Sequence, residues 1–135
     1  MIELLLVEHV EIAQFWPALK PYFARISGRV TTEVTPDLIL EKAKDRRLLL
    51  WAIHDDGKLR GAAATGIREC GTETVAFVEA IAGDGMEQWL LPILDDFETR
   101  AKRAGATIIE HEGRMGWARK LPGYRTVRVV LQKVL

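Results

Sequence analysis

Residues 47–70, RLLLWAIHDDGKLRGAAATGIREC, switch the chain from a helical to an extended period. Leu48 to Ile53 is a short apolar run and Asp56-Gly57 is a strong hairpin turn. A second run starts at Leu59, so the stretch predicts two antiparallel strands. Gly61 and Ala62, Ala63 and Ala64 leave room for something to pack closely on the second strand. A third strand, Thr74 to Ala82, follows the Gly71-Thr72 turn and is expected beside the second, again antiparallel.

On the N-terminal side, IELLLV (2–7) reads as a buried strand. Apolar residues at Ile12, Phe15, Trp16, Leu19, Phe23 and Ile26 then follow helical spacing. Pro17 and Pro21 predict that this helix is kinked or split. A second helix is predicted to run to about Asp45, with Thr35 as N-cap, Pro36 in the first helical position and Asp37 at the positive end of the dipole.

Beyond the third strand, residues 82–106 form the clearest helix in the chain. Met86, Leu90, Ile93, Leu94, Phe97, Ala101 and Ala104 make one apolar stripe, and Asp96–Arg100 and Glu98–Lys102 are spaced as outward i,i+4 pairs. Pro92 predicts a first turn offset by a kink, while Gly105 supplies a left-handed stop. TIIEH (107–111) reads as a further strand and TVRVVLQKV (126–134), with alternating faces, as the last. The order β, α, α, β, β, β, α, β, α, β implies a mixed α/β fold: a central, mostly antiparallel sheet with helices on both faces.

The chain has 135 residues, 48% of them hydrophobic, which fits one compact domain over 1–135. Its 19 basic and 19 acidic residues are unevenly placed. After Glu112 come Arg114, Arg119, Lys120, Arg125, Arg128 and Lys133 with no acidic residue, so the last 23 residues carry +6 and the rest of the chain −6. An overall neutral protein without interleaved aromatic and basic residues is a poor nucleic-acid binder. A single cysteine, Cys70, excludes an intramolecular disulfide, and no Cys/His spacing suggests a metal site. The N-terminal residues have no basic region or cleavage site, and no apolar run approaches the roughly 20 residues of a membrane helix. A cytoplasmic protein with no membrane partner is the expectation.

LLWAIHDDGKLRGAAATGI, FETRAKRAGATIIE and WARKLPGYRTVRVVLQKVL, taken with the element order, resemble the GNAT superfamily of acyl-CoA-dependent N-acyltransferases over about the whole chain. GRMGWARKLPGY further resembles a phage and prophage subgroup with a G-R-x-G-W signature. In that subgroup Gly113 and Gly116 would lead into a short helix, with Trp117 and Leu121 packed inward and Gly123-Tyr124 ending it.

The resemblance implies acetyl-CoA held between the fourth and fifth strands, with its pyrophosphate on amides at the start of the long helix. The family loop Q/R-x-x-G-x-G/A corresponds here to Ala80-Ile81-Ala82-Gly83-Asp84-Gly85. Ile81, Ala82, Gly83, Gly85 and Met86 are thereby implied as cofactor contacts, and Arg114 of the basic tail could reach the phosphates or an acidic partner, the alternative being a solvated face. Ala80 stands where the family has Gln or Arg, and Asp84 brings a negative charge towards the phosphates. The implied reaction is transfer of an acetyl or other acyl group to the amine of a small molecule or protein. Glu79 is the implied base, and a homodimer is a possible assembly. The frequent acid of the family, a tyrosine four residues before the Gly-aromatic pair, is Arg119 here. His111 is a further candidate for moving protons near a thioester. The degenerate loop and the absent tyrosine favour a non-catalytic, phage-associated binding protein that kept the fold, whereas the small-residue hairpin and the strand order favour the enzyme.

Overall fold

The structure is a computed structural model and describes residues 1–26, 34–112 and 121–135. Five strands form one sheet in chain order: β1 (Ile2–Val7), β2 (Leu49–Asp55), β3 (Lys58–Cys70), β4 (Glu73–Gly83) and β5 (Ile108–His111). The first four are antiparallel neighbours, and β5 joins β4 in parallel after the helix that connects them. Asp56 and Gly57 both take positive φ at the β2–β3 turn, as a tight hairpin requires.

The strands are apolar on both faces because helices cover both. On one side lie α1 (Ile12–Ala24) and α2 (Pro36–Lys44), packed on Leu50, Ala52, Ala62, Ala64, Ala80 and Ala82. On the other lies α3 (Met86–Arg103), packed on Leu4, Trp51, Ile53, Ala63, Val78 and Ile81. α2 starts as its sequence dictates, with the Thr35 side chain accepting from the Leu38 amide at 3.2 Å. α3 ends with Arg100, Lys102 and Arg103 in its last turn and Gly105 at φ +92°.

Three expectations are corrected. Of the two alternatives for α1, the split is overturned: it is one helix through Pro17 and Pro21, preceded by a short 3-10 turn at His9–Glu11. Each proline forfeits a helical hydrogen bond, but Leu19 and Phe23 on the inner face are fully buried, and that packing holds the helix together. The apolar face of α3 contains Trp89, buried at 2% exposure, while Ala104 lies exposed beyond the helix. Residues 126–134 do not extend the sheet: among the described residues they pair with no strand, and Val127, Val129, Val130, Leu131 and Val134 are exposed. The helix expected after His111 falls mostly on residues 113–120, outside the described residues.

Trp89 is the group for which β3 is hollowed out. Gly61 and Gly83 face each other across β3 and β4 beneath the indole ring. A Cβ on Gly61 would sit 2.5 Å from the Ala82 carbonyl oxygen, and one on Gly83 would sit 2.4 Å from that of Arg60 and 2.7 Å from the Trp89 ring. Gly66 differs, because the nearest atoms a Cβ there would meet belong to the ring of Phe77. Backbone cannot step aside as a ring can. Gly61→Ala and Gly83→Ala should each lose about 2–3 kcal/mol in urea unfolding, and Gly66→Ala clearly less. Equal losses at all three positions would show that close backbone approach is not what these glycines provide.

Candidate active site

The register of β3 and β4 slips at one point: Ala64 pairs with Ala80 and Thr65 with Val78, leaving Glu79 as an extra residue. Such a bulge bends the strand and re-aims its side chains. Phe77 and Ala80 pack towards α1 and α2, and Val78 and Ile81 towards α3. Glu79 is turned to the α2 side, where its Oε1 lies 3.0 Å from Lys42 Nζ of α2. The pair is largely sheltered, with the two side chains 13% and 25% exposed. On the same face Arg68 pairs with Glu110 of β5 and lies over the Phe77 ring, 5.3 Å from its centre.

The bulge coincides with the parting of β4 and β5. Their parallel pairing ends at Val78 and His111, followed by a 3.4 Å bond from the Glu112 amide to the Val78 carbonyl. β4 continues to Gly83, so the edge of residues 79–83 that faces away from β3 has no strand partner among the described residues. Ala80, Ile81 and Ala82 are nonetheless buried. Buried backbone groups on such an edge call for hydrogen-bonding partners. Ile81 and Ala82 can offer a ligand only backbone, because their side chains belong to the two cores.

At the end of β4 the chain turns sharply into α3 through Gly83, Asp84 and Gly85. Gly85 is the N-cap, in the left-handed region at φ +66°. The turn is fixed from below, where Trp89 Nε1 donates to the Asp84 carbonyl at 2.8 Å and the Asp84 amide donates to the Arg60 carbonyl at 2.8 Å. The Asp84 carboxylate does not stand alone: Arg25 Nη1 binds it at 2.8 Å and the Tyr22 hydroxyl lies 3.5 Å away. The amides of Met86 and Glu87 donate to no backbone carbonyl among the described residues, which leaves oriented donors at the positive end of α3. Gly83 is half-buried under Trp89, Gly85 is exposed and Met86 lies partly buried at the edge of the α3-side core. Arg114, with Trp117 and Arg119, lies outside the described residues.

Below the parting point is a hydrogen-bonded chain that the sequence did not reveal. Tyr124 Oη donates to Glu98 Oε1 of α3 at 2.7 Å, and His111 Nε2 of β5 lies 3.0 Å from Tyr124 Oη. Because the tyrosine proton is committed to Glu98, Nε2 is the protonated nitrogen of His111. Nδ1 then carries the lone pair, buried and without a partner among the described residues. Burial pushes His111 down to about 4, against the opposing pull of Glu98. Burial, and then the bond to Glu98, raise Tyr124 well above its ordinary value. Spacing pairs Glu98 with Lys102, and the resemblance gives Tyr124 only as part of a helix stop. The three residues lie on different elements, and no local pattern joins them.

A buried neutral histidine makes stability fall on acidification, since the unfolded chain takes up the proton first. The loss begins below about pH 6.5 and is complete near pH 4, amounting to up to about 3 kcal/mol. Urea unfolding of the parent and of His111→Gln at pH 7 and pH 4.5 should show a smaller pH-dependent loss in the variant. Identical losses would mean that His111 does not set the acid sensitivity.

No family model and no curated protein matches the chain. Solved structures do. A GNAT family acetyltransferase from Staphylococcus aureus superposes with a TM-score of 0.68 at 14% identity, covering 99% of this chain and 98% of that one. Ribosomal-protein-alanine N-acetyltransferase from Brucella melitensis gives 0.68 at 14% identity over 100% and 99%. Glucosamine-6-phosphate N-acetyltransferase from Arabidopsis thaliana gives 0.65 at 13% over 99% and 98%. These likenesses run the length of the chain, and the fold of this protein is that of the GNAT acetyltransferases.

Proposed function

We propose that the protein is an acyl-CoA-dependent N-acyltransferase, with acetyl-CoA as donor and an amine of a small molecule or a protein as acceptor, acting in the cytoplasm. One observation carries this reading: the bulged carboxylate Glu79 sits where β4 parts from β5, beside a buried strand edge that leads to the free amides of α3. A thioester ligand fits these donors. Its pyrophosphate would take the Met86 and Glu87 amides, next to Gly83 and Gly85, and the amides of its extended arm would meet the β4 backbone at Ile81 and Ala82. Arg114 is proposed as a further contact to the phosphates. The Arg25 pair answers the charge of Asp84, which would otherwise oppose an anion at this turn. The Gly113-to-Trp117 signature supports a place in the phage-type subgroup.

Bound acyl-CoA supplies an acyl carbon activated by its thiol leaving group. Glu79 supplies the base. Lys42 holds Oε1, and Oε2 accepts from no described residue, so Oε2 is the oxygen that takes the proton from the attacking amine. Lys42 positions the carboxylate and balances its charge in a sheltered site, which leaves the approaching amine to be recognised by geometry and not by a bare negative charge. The two neighbours that act on a sugar amine and on a protein alanine support an amine acceptor without selecting between the classes.

Acetyl-CoA and free CoA should raise the melting temperature in proportion to the logarithm of ligand concentration. In an amine screen, Glu79→Gln should lower kcat at least a hundredfold while leaving CoA binding within about threefold, the usual weight of a general base. Binding of CoA with turnover unchanged in Glu79→Gln would remove the base assignment. No binding at millimolar CoA would favour the second reading, a non-catalytic binding protein on this fold.

A further inference from the structure

We infer that Lys42 is acylated by its own chain: its side-chain nitrogen is a built-in acceptor, modified by the same thioester that serves an outside amine. The inference rests on the acyltransferase reading of the site. A distance carries it. An acceptor amine must come within hydrogen-bond reach of the base that deprotonates it, and Lys42 Nζ already lies 3.0 Å from Glu79 Oε1.

The fold delivers this amine to the site. α2 is anchored through Ile39 and Ala43, both buried, and Lys42 stands next to Ala43 near the end of the helix. From there its four-carbon stem reaches the bulge of β4, where that strand parts from β5. The Lys42 side chain is 25% exposed, whereas Lys20, Lys44, Lys58, Lys102 and Lys133 lie in the open. Among the described residues Glu79 pairs with no other cation. Arg68, the basic neighbour on the same face, ends in a guanidinium that stays protonated and cannot attack. An ion pair serving stability alone would be met as well by arginine, which is more weakly hydrated and suits a sheltered pair better. Lysine adds an amine that becomes a nucleophile once it gives up a proton.

The step balances. One proton of the Lys42 ammonium passes to Glu79, and the freed Nζ forms a C–N bond to the acyl carbon of acetyl-CoA as the acyl C–S bond breaks. The next proton of the nitrogen goes to the departing sulfur, giving free CoA and an amide, and Glu79 returns its proton to water. Acylation removes the charge of Lys42 and places a bulkier, neutral side chain beside the base. The site then lacks the cation that held Oε1, and the added group fills space an outside amine would use. Lys42 is thereby a brake that sets when acyl donor is plentiful and acceptor scarce.

The full chain, incubated with acetyl-CoA and no amine and then mapped by peptide mass spectrometry, should carry acetyl on Lys42. Nearness to base and donor should put this modification roughly tenfold or more ahead of that at the exposed Lys20 and Lys58. Its rate should be first order and independent of protein concentration. Glu79→Gln should slow it about a hundredfold, the weight of a general base, without slowing modification of Lys20 or Lys58. Turnover of an amine acceptor should fall with preincubation in the parent, in step with the acetyl on Lys42, and hold steady in Lys42→Arg whatever its starting rate. Faster modification of the exposed lysines, a rate that rises with protein concentration, or an equal rate in Glu79→Gln would each overturn the inference. CoA binding and amine turnover with Lys42 unmodified would overturn it alone and leave the acyltransferase reading standing, whereas absence of CoA binding would remove both.

Discussion

The contact on which the rest of the molecule turns is the indole of Trp89 over the facing glycines of β3 and β4. Two strands approach with no side chain between backbone and ring, and the Nε1–H holds the Asp84 carbonyl. That one residue fixes where the sheet ends and where α3 begins. The direction of the α3 amides, the left-handed Gly85 and the distance from helix start to the Glu79 bulge all follow from it. A residue of helix packing thereby sets the geometry of the site from beneath, through Gly83 and the Asp84 carbonyl.

Much of this fold is legible because two periods alternate cleanly. Asp56-Gly57, the runs on either side of it, and the caps of α2 and α3 act over a few residues, and the chain obeys them. What escapes a linear reading is any feature made by residues far apart. Gly61 and its alanines announce a close approach, but nothing local names Trp89, 28 positions on. Helix-breaking by Pro17 and Pro21 is a local rule overruled by the burial of Leu19 and Phe23, a tertiary effect. The pattern of 126–134 does encode extended chain, yet a strand is a relation between two segments, and alternation cannot say which partner it has.

The candidate site divides along the same line. The resemblance singles out Glu79 by its place on β4, whereas its ion pair with Lys42 arises from α2 crossing the sheet and has no signature in spacing. Resemblance located the glycines near α3 without revealing that Gly83 serves Trp89 or that Asp84 has Arg25 as its partner. His111 looked solitary for want of a neighbour in sequence. Its partners lie on a helix and on the far side of residues 113–120.

The Arg25–Asp84 pair also determines what kind of attraction the turn can exert. With a carboxylate and a guanidinium cancelling each other beside the helix start, the turn presents oriented dipoles and almost no net charge. Dipolar fields decay faster with distance than those of ions, and dissolved salt screens chiefly longer-range forces. An anion held there would be gripped on contact without being drawn in from afar. Its affinity would vary little with ionic strength, and a phosphate of the wrong shape would gain nothing from its charge alone.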